Sequence, residues 1–475
     1  MSKEQRVRGA PTNIDPAALK NFKAEMRGSV LAPDETGYDE ARKAWNTTYD
    51  QHPALVALVA GAPDVIAAVN FAREQNLRVA VQSTGHGIAY PCDGGLLINT
   101  SRMTDIQIDP QSQTARVEPG VLWGDVVNQV QAFGLAALSG FAPNVGVIGY
   151  TLGGGFGWLV RKYGLAANSV RSVDLVTADG QQAHVSDMSN SDLFWGLRGG
   201  GGNFGIVTSI EFALYPVVEV FGGRVFYPVE MAKEVLSRYS QWVETIPYEL
   251  TSTIAIMHLP SIADLPEPLR GKAMVIVGAC YAGSAEDGAA LLRPIREFGS
   301  PVVDTFAPMR YADTGTINSD PVEPQGPYGH TELIRELSSD AIDKLVEVAG
   351  ACSKSPLTMV EIRHLGGAVA QVDRDANAIS HRDAPFVLHT TALGASPEDV
   401  ARLKQFTAFV AEAMRPFKTG GALLNFLGDG DVGEGRVRAV YSPEHYRRLV
   451  ELKDKYDPEN FFRLNHNIPP SSASR

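Results

Sequence analysis

The sequence predicts an α+β fold with two domains, the second of them built on an antiparallel sheet. Three observations predict it. The chain has 475 residues, about three times a typical domain of roughly 150, and 44% of them are apolar. Residues 55–82 show the pattern strand–helix–strand over about thirty residues, which is typical of a βαβ unit. Beyond residue 218, strands alternate with helices in an order that suits antiparallel pairing.

Apolar periodicity and the residues at element ends predict the elements of the N-terminal part. Residues 17–28 have helical spacing and stop at a glycine, and a helix over 64–75 follows Ala62-Pro63. Two apolar runs flank Ala178-Asp179-Gly180, which predicts a hairpin of strands 170–177 and 182–185. The other predicted elements are a helix over 121–133 and strands over 55–59, 77–82, 96–99, 104–108, 114–118 and 206–214.

The composition shifts after Pro216, where the second domain is expected to begin. Strands are predicted over 222–227, 251–258, 273–282, 359–364 and 386–392, and helices over 230–242, 284–298, 338–349 and 396–414. A last helix over 443–457 precedes Pro458 and an irregular tail. The pattern shows neither an internal repeat nor a low-complexity segment.

Charge and cysteine content exclude several functions. Lys and Arg number 42 against 54 Asp and Glu, and the net charge of −12 disfavours a general nucleic-acid binder. Three cysteines form no disulfide framework and have no metal-ligand spacing, so a metal site is not expected. Residues 1–16 lack an apolar leader region, and no apolar run is long enough to span a membrane. We therefore expect a soluble cytoplasmic protein, whose oligomeric state the sequence does not indicate.

Three glycine-rich segments, each close to a predicted strand, are the main candidates for a binding site. They are 82–87 (QSTGHG), 146–157 (GVIGYTLGGGFG) and 198–205 (RGGGGNFG). Glycine and small hydroxyl residues expose backbone N–H groups that converge on a phosphate. Because glycine is conformationally costly, this density favours a group bound against the backbone over three unrelated flexible loops. None of the segments has the fingerprint of a Rossmann dinucleotide site or of an ATP phosphate-binding loop.

Four stretches resemble the FAD-linked oxidases of the vanillyl-alcohol-oxidase/PCMH superfamily. They are 79–109, 139–180, 192–212 and 441–470, and the first three contain the glycine-rich segments. The fourth, YSPEHYRRLVELKDKYDPENFFRLNHNIPP, is similar to the C-terminal segment of the berberine-bridge-enzyme-like branch and its bacterial members. The resemblance covers about 30–218 and 425–470. It implies a PCMH-type FAD-binding domain at 1–218, completed by 431–475, and a substrate domain at 219–430.

The resemblance implies that FAD is attached covalently through His86, which occupies the Gly-His-Gly position of segment 82–87. A neutral imidazole is a competent nucleophile; the alternative is a loop histidine that only forms hydrogen bonds. Many relatives have a second link through a Cys before the proline of their second motif. Ala142 stands there in this chain, so no second link is expected. Cys92 does not match the family position and is expected to be a small, half-buried residue.

Other cofactor contacts are implied by the same resemblance. Segment 82–87 is placed along the pyrophosphate, and the glycines of 146–157 approach FAD through their backbone. Val207 is placed on the adenine side, and Asn465 and Asn467 at the isoalloxazine or the substrate, with turn capping as the alternative for both. The implied cofactor-binding residues are His86, Gln82, Ser83, Thr84, Gly85, Gly87, Gly146, Gly149, Gly153, Gly154, Gly157, Val207, Asn465 and Asn467.

The candidate catalytic residues are Glu361, Tyr150 and Asn465. In the predicted strand 359–364, alternation puts Met359, Glu361 and Arg363 on one face. Glu361 is a candidate base or substrate anchor, and the alternative is a partly solvated pair with Arg363. Tyr150 lies inside the second glycine-rich segment and would serve as a base if nearby cations lowered the pKa of its phenol.

Further polar residues are weaker candidates for the substrate side. Tyr328 and His330 lie in a Pro/Gly-rich stretch, 324–330, that is predicted to be a loop able to cover the pocket. His389 and Asn425 are also candidates. A structural role is favoured for all four, as it is for Tyr150.

These features predict an FAD-dependent oxidase. Hydride passes from a small alcohol, sugar or cyclic amine to flavin N5, and the electrons pass to O2 to give H2O2. Two alternatives stay open: a dehydrogenase or biosynthetic oxidase that uses another acceptor, and a non-catalytic flavin-binding protein. The sequence identifies neither the substrate nor whether the oxidised bond is C–O or C–N.

Overall fold

A computed structural model describes residues 14–353, 355–393, 397–428 and 430–474. The expectations about residues 1–13, including the lack of a leader, and about Ser396 lie outside these ranges. The predicted α+β class is confirmed, because three sheets are combined with helices along the whole chain. In the described part, no helix combines the length and the apolar composition that crossing a membrane requires.

The first sheet is small and mostly parallel. Its strands are β1 (Ser29–Leu31), β2 (Leu55–Leu58), β3 (Val79–Gln82) and β4 (Leu96–Asn99), in the order β1-β2-β4-β3. Its helices are α1 (Pro16–Glu25), α2 (Tyr38–Arg42) and α3 (Ala62–Glu74). The predicted βαβ unit is present, since α3 connects β2 to β3, but β4 lies between these two strands and is parallel to both.

The second sheet is antiparallel and follows directly. It consists of β5 (Ile106–Asp109), β6 (Thr114–Val117), β7 (Val170–Val176), β8 (Gln182–Ser186) and β9 (Ile206–Ala213), in the order β5-β6-β9-β7-β8. The helices around it are α4 (Trp123–Gln131), α5 (Val147–Leu152), α6 (Val160–Tyr163), α7 (Ala166–Ser169) and α8 (Ser191–Leu197). The sequence analysis missed α5 to α8, because helices this short carry too little periodicity.

The third sheet is antiparallel and has eight strands. They are β10 (Glu219–Pro228), β11 (Leu250–His258), β12 (Ala273–Tyr281), β13 (Val303–Asp304), β14 (Ala307–Arg310), β15 (Pro327–Ile334), β16 (Met359–His364) and β17 (Phe386–Leu393). The order is β13-β10-β12-β11-β16-β17-β15, and β14 also pairs with β10. The helices are α9 (Ala232–Trp242), α10 (Ala285–Arg296), α11 (Gly315–Asn318), α12 (Ser339–Ala349), α13 (Ala368–Gln371) and α14 (Pro397–Ala413).

The two faces of the third sheet have different partners. Val360 and Ile362 point into a core that the sheet shares with α9 and α12. From the opposite face, Leu333 and Val387 enter a core that contains Phe141 from the N-terminal part. The sheet is thus covered by helices on one side and joined to the N-terminal part on the other. The domain boundaries themselves stay predictions.

The chain ends with a return to the second sheet. Its helices are α15 (Glu434–Ala439) and α16 (Pro443–Tyr456), and Ser442 begins α16 by accepting the N–H of His445 at 3.1 Å. Leu449 and Leu452 of α16 join the core of the second sheet around Phe204. This packing brings the C-terminal tail beside segment 198–205.

The predicted loop 324–330 is wrong in its second half. β15 begins at Pro327, and Tyr328 and His330 pair with Ala392 and Thr390 of β17. A proline is tolerated as the first residue of a strand, so Pro327 marks the start of an element rather than its absence.

A buried ion cluster joins β15 to the C-terminal part. His330 Nε2 lies 2.8 Å from Glu332 Oε1, and His330 Nδ1 lies 2.7 Å from Asp431 Oδ1. Arg436 Nε is 2.8 Å from Asp431, and Lys418 Nζ is 2.6 Å from Glu332. Burial by itself lowers the pKa of His330, but hydrogen bonds to Asp431 and Glu332 raise that pKa above its ordinary value.

Replacing His330 with Gln should destabilise the protein most at low pH. A raised folded-state pKa contributes stability that is complete below the unfolded-state value of about 6.5 and disappears as the pH rises through the folded-state value. The difference in free energy of unfolding between wild type and His330→Gln should therefore shrink between about pH 6 and about pH 9. Urea unfolding at both pH values measures this difference, and a difference that grows with pH contradicts the assignment.

Candidate functional site

The three glycine-rich segments meet around one cavity of about 500 Å³. The other walls come from β3, from Arg363 of β16 and from the C-terminal segments 424–427 and 462–466. The cavity therefore lies where the N-terminal part, the third sheet and the C-terminal tail come together.

Segment 82–87 leaves β3 and forms one wall. Gln82 lines the cavity, but its amide is engaged by the protein, with Nε2 donating to Lys43 O at 2.7 Å. Gly85 has φ +77°, and an added Cβ would lie 2.6 Å from Ala44 Cβ. The turn itself therefore requires glycine at this position.

His86 projects from this turn with one free ring nitrogen. Its Nδ1 lies 2.8 Å from Thr84 Oγ1, whereas its Nε2 is buried without a hydrogen-bond partner in the described part. The imidazole stacks on Trp45, with ring centroids 4.2 Å apart and an interplanar angle of 12°. Burial lowers the pKa of His86 to about 4, so the ring is neutral near pH 7 and keeps a lone pair.

At some of the predicted glycines of segment 146–157, packing or backbone conformation within the protein excludes a side chain. An added Cβ at Gly153 would lie 2.6 Å from Asn425 Nδ2, and one at Gly157 would collide with Ser139 O. Gly154 has φ +118°, a backbone conformation that side chains disfavour. Gly153 lines the cavity, whereas Gly154 and Gly157 do not, and packing within the protein accounts for all three glycines.

Other glycines open directly onto the cavity. An added Cβ at Gly149, Gly87 or Gly202 would meet nothing within 4 Å, and all three line the cavity. Gly146 faces Ser83, whose Oγ is buried and has no partner among the described residues. The bare backbone of the open glycines leaves room for a group to approach closely.

The C-terminal tail is fixed to the third glycine-rich segment. Asn203 Nδ2 donates to His466 O at 3.1 Å, and Asn465 Nδ2 donates to Gly202 O at 3.0 Å. Asn465 and His466 therefore line the cavity, and Asn465 Oδ1 is buried without a partner in the described part. Asn467 Oδ1 is also buried and unpartnered there, but Asn467 does not line the cavity.

Three further positions concern the adenine side and a second flavin link: Val207, Ala142 and Cys92. Val207 of β9 and Ala142 line the cavity, and Ala142 presents no thiol. Cys92 is fully buried rather than half-buried, in a core with Tyr38 and Leu97, and does not line the cavity. Burial raises the pKa of the Cys92 thiol to about 12, which makes it a poor nucleophile.

Glu361 and Arg363 form a buried pair beside the cavity. Arg363 Nε donates to Glu361 Oε2 at 2.6 Å, and the Glu361 residue is only 1% exposed. The structure thus contains the predicted pair, but buried rather than partly solvated. Arg363 lines the cavity, whereas Glu361 contacts Arg363 and does not itself line the cavity.

Tyr150 lines the cavity with a protonated phenol. Its Oη is buried and has no partner in the described part, and its ring lies edge-on to Trp123 with centroids 5.5 Å apart. Burial raises the pKa of Tyr150 well above its usual value, which is opposite to the shift that a base needs. Asn425 holds this segment, because its Nδ2 donates to Tyr150 O at 2.9 Å and its Oδ1 accepts from Gly155 N–H at 2.6 Å.

His389 and Tyr328, two of the weaker candidates, lie behind the cavity wall. His389 is held between Thr331 Oγ1 at 3.0 Å and Thr391 Oγ1 at 2.7 Å. Tyr328 is 5% exposed on β15. Neither residue lines the cavity.

Trp45 and Asp320 were not among the residues predicted for the site. Trp45 lies about forty residues from His86 in an irregular stretch, and its Nε1 donates to Val322 O at 3.0 Å. Asp320 lines the cavity. Desolvation raises the pKa of Asp320, while Arg224 and Arg363 act in the opposite direction. Neither residue belongs to a sequence pattern that would have indicated it.

The residues around the cavity fit a bound flavin nucleotide. Buried polar atoms normally have hydrogen-bond partners, so unpartnered ones that line a cavity call for a bound group. The open glycines allow that group to approach the backbone. No group of metal ligands occurs among the described residues. The unpartnered buried atoms of lining residues are Ser83 Oγ, His86 Nε2, Tyr150 Oη and Asn465 Oδ1.

Comparisons with known proteins agree with this fit. A domain profile described as FAD binding domain matches residues 53–186, and one described as berberine and berberine like matches residues 424–469. The chain is 33% identical over 461 residues to an FAD-linked oxidoreductase of Dictyostelium discoideum, covering 95% of this chain and 97% of that protein. It is 31% identical over 471 residues to (R)-6-hydroxynicotine oxidase of Paenarthrobacter nicotinovorans, covering 94% and 98%.

Solved structures lead to the same class. The crystal structure of 6-hydroxy-D-nicotine oxidase from Arthrobacter nicotinovorans matches with a TM-score of 0.82 and 28% identity, covering 94% of this chain and 98% of that chain. The fold and the glycine-lined cavity define an FAD-linked oxidoreductase. The chain belongs to the berberine-bridge-enzyme-like family of these enzymes. The resemblance found in the sequence is thereby confirmed, together with FAD as the cofactor.

Proposed function

We propose that the protein is an FAD-dependent oxidase that oxidises a small alcohol, sugar or cyclic amine and reduces O2 to H2O2. The observation that carries the proposal is the single cavity in which His86, the open glycines and Arg363 meet. Two relatives support the class: the (R)-6-hydroxynicotine oxidase and a chitooligosaccharide oxidase of Gibberella zeae, with matches covering 94% and 96% of this chain. When bound, FAD supplies the two-electron acceptor, taking hydride at N5 and passing the electrons to O2.

We also propose that His86 holds the flavin covalently at its 8α carbon. The C–N bond would replace an 8α C–H bond and the imidazole would lose its N–H proton, and the two protons and two electrons released would reduce O2 to H2O2. The imidazole is neutral and has an unpartnered nitrogen, so it can act as a nucleophile. Its stacking on Trp45 fixes its orientation. Ala142 and the buried Cys92 support a single link, because neither offers a reactive thiol to the cavity. We propose that the binding site is completed by the side chains of Ser83 and Thr84, by the open glycines, and by Val207 and Asn465.

Gly149→Ala and Gly157→Ala should have different effects although both remove a glycine of the same segment. Gly149 opens onto the cavity, so Gly149→Ala should fold normally but weaken FAD uptake by about tenfold or more, because overpacking costs about 1–3 kcal/mol. Gly157→Ala should lower the folded yield, because its Cβ collides with Ser139 O. In the His86→Ala background, where FAD is expected to bind without a covalent link, titration of refolded apoprotein with FAD measures the first effect, and thermal unfolding measures the second. Equal behaviour of the variants contradicts the distinction.

Proton removal from the substrate O–H or N–H requires a group within hydrogen-bond reach. Asn465 Oδ1 is proposed to accept a substrate hydrogen bond, and the protonated Tyr150 to donate one. Glu361 is proposed as base or anchor. Its pairing with Arg363 favours the anchor, because the carboxylate stands outside the cavity lining.

Glu361→Gln separates these two roles. If Glu361 is a general base, turnover should fall at least about 10²-fold, with the loss depending on pH. If it anchors substrate through Arg363, KM should rise while kcat changes little. Steady-state kinetics on a substrate found by peroxide screening make the measurement, and Glu336→Gln on the exposed surface is the matched control.

The first experiment is the absorption spectrum of the purified protein before and after acid precipitation. A yellow pellet supports covalent flavin, and peptide mapping then tests His86. A white pellet with a yellow supernatant contradicts the covalent link but retains FAD. Substrate screening follows flavin reduction and peroxide together; reduction without peroxide would instead indicate a dehydrogenase.

A further inference from the structure

Arg363 is an unusual cation because its environment is largely aromatic. Its Cζ lies 4.7 Å from the ring centroid of Phe426, 5.0 Å from that of Phe141 and 5.9 Å from that of Phe156. These rings line the same cavity, and the Arg363 side chain is 12% exposed. The guanidinium is therefore held among phenyl groups with one side facing the cavity.

Only part of the guanidinium is hydrogen-bonded. Nε donates to Glu361 at 2.6 Å, and among the described residues Nη1 and Nη2 have no acceptor. The two terminal nitrogens of an arginine form a planar fork that matches the two oxygens of a carboxylate. Because Glu361 fixes Nε, the orientation of the fork is set before any ligand arrives.

Two strands of the third sheet, β12 and β11, lie between Arg363 and a second arginine on the same face. Arg224 pairs with Gly278, Gly278 with Thr253, and Thr253 with Arg363, so all four lie in one row across the sheet. Directly opposed residues share a face. Arg224 does not line the cavity, and its Nη1 donates to Asn318 O at 3.1 Å. Arg363 is thus the cation of this row that reaches the cavity.

We propose that Arg363 is a substrate-binding residue and that the substrate of the oxidation carries a carboxylate attached to a small apolar or aromatic group. The carboxylate would accept two hydrogen bonds from the fork, and the apolar or aromatic group would pack against Phe141, Phe156 and Phe426. This inference rests on the proposed oxidase function and narrows its substrate class. Asp320 also lines the cavity and has no ion pair with Arg363. Its carboxylate disfavours a second negative charge on the substrate.

The test is a titration of the flavin-loaded enzyme with benzoate, benzamide and benzyl alcohol, followed by flavin absorbance and by calorimetry. Benzoate should bind at least about tenfold more tightly than its two neutral analogues, because hydrogen bonds to charged groups are the stronger ones. Arg363→Gln should lose that preference. Arg363→Lys, which keeps the charge but not the fork, should retain only part of it. Arg447→Gln on the exposed face of α16 is the matched control, and Asp320→Asn should bind benzoate as well as or better than wild type.

Each contrary outcome has a separate meaning. Flavin-loaded wild type that binds the three probes equally, or Arg363→Gln that keeps the benzoate preference, overturns the inference and leaves the oxidase proposal intact. A shift of the flavin reduction potential in Arg363→Gln without a change in benzoate affinity also overturns it, because the fork then faces the flavin. Protein that takes up no FAD overturns the proposed function and this inference with it. If Arg363→Gln does not fold, the comparison of Arg363→Lys with wild type decides.

Discussion

His86→Ala is expected to abolish covalent flavin while leaving FAD bound. Alanine removes the imidazole that the turn between Gly85 and Gly87 presents to the cavity, and no thiol in the described lining can replace it. The open glycines and the buried polar atoms of Ser83 and Asn465 remain, so FAD should still bind reversibly. Acid precipitation should release all of the flavin, and the mass of the denatured chain should equal that of the polypeptide alone.

Two variants control this experiment. His184→Ala removes a histidine of β8 that is 54% exposed and does not line the cavity, and it should keep the flavin attached. Trp45→Ala should slow attachment, because the ring loses the stacking partner that fixes its plane, and Trp45→Phe should restore much of the rate. Flavin that stays on denatured His86→Ala would place the covalent link elsewhere.

The sequence predicted the elements of the cavity better than their arrangement. Period-two and helical patterns depend on neighbouring residues, so β16, the β7–β8 hairpin and α3 were found close to their observed bounds. The insertion of β4 between β2 and β3 was not predictable, because strand order depends on contacts between distant segments. The same limit applies to Trp45, which contacts His86 although β2, α3 and β3 lie between them in the sequence.

In the candidate site, too, local features were predictable from the sequence and contacts between distant segments were not. The glycine density and the alternation of β16 correctly indicated which segments meet, since both are local properties of the chain. Alternation alone made Glu361 and Arg363 equivalent, however, and only the packing shows that Arg363 faces the cavity while Glu361 supports it. The direction of the Tyr150 pKa shift likewise depends on burial, which a sequence does not report.

Lys453→Met is expected to destabilise the protein by about 3–5 kcal/mol, because it leaves a buried charge without its partner. Lys453 Nζ lies 2.7 Å from Asp457 Oδ2, and both side chains are fully buried. The same ammonium donates to the backbone oxygens of Asn203 and Phe462, each at 2.9 Å. Burial lowers the pKa of Lys453, while Asp457 opposes that shift. One side chain thus ties α16 to two residues of the cavity wall.

Lys453→Met should weaken cofactor binding as well as lower the free energy of unfolding. Because Asn203 and Phe462 line the cavity, loosening them should weaken FAD retention along with stability. Urea unfolding of the holoenzyme measures the stability, and flavin release on dilution measures the retention in the His86→Ala background, where FAD is expected to be bound without a covalent link. Lys455→Met is the matched control two residues further along the helix: its pair with Asp192 is exposed, so solvent and salt already weaken it and the change should be much smaller. Equal effects of the two variants would show that the buried pair contributes no more to stability than an exposed pair. A loss of stability with unchanged flavin retention would show that Lys453 stabilises the position of α16 without affecting the cavity.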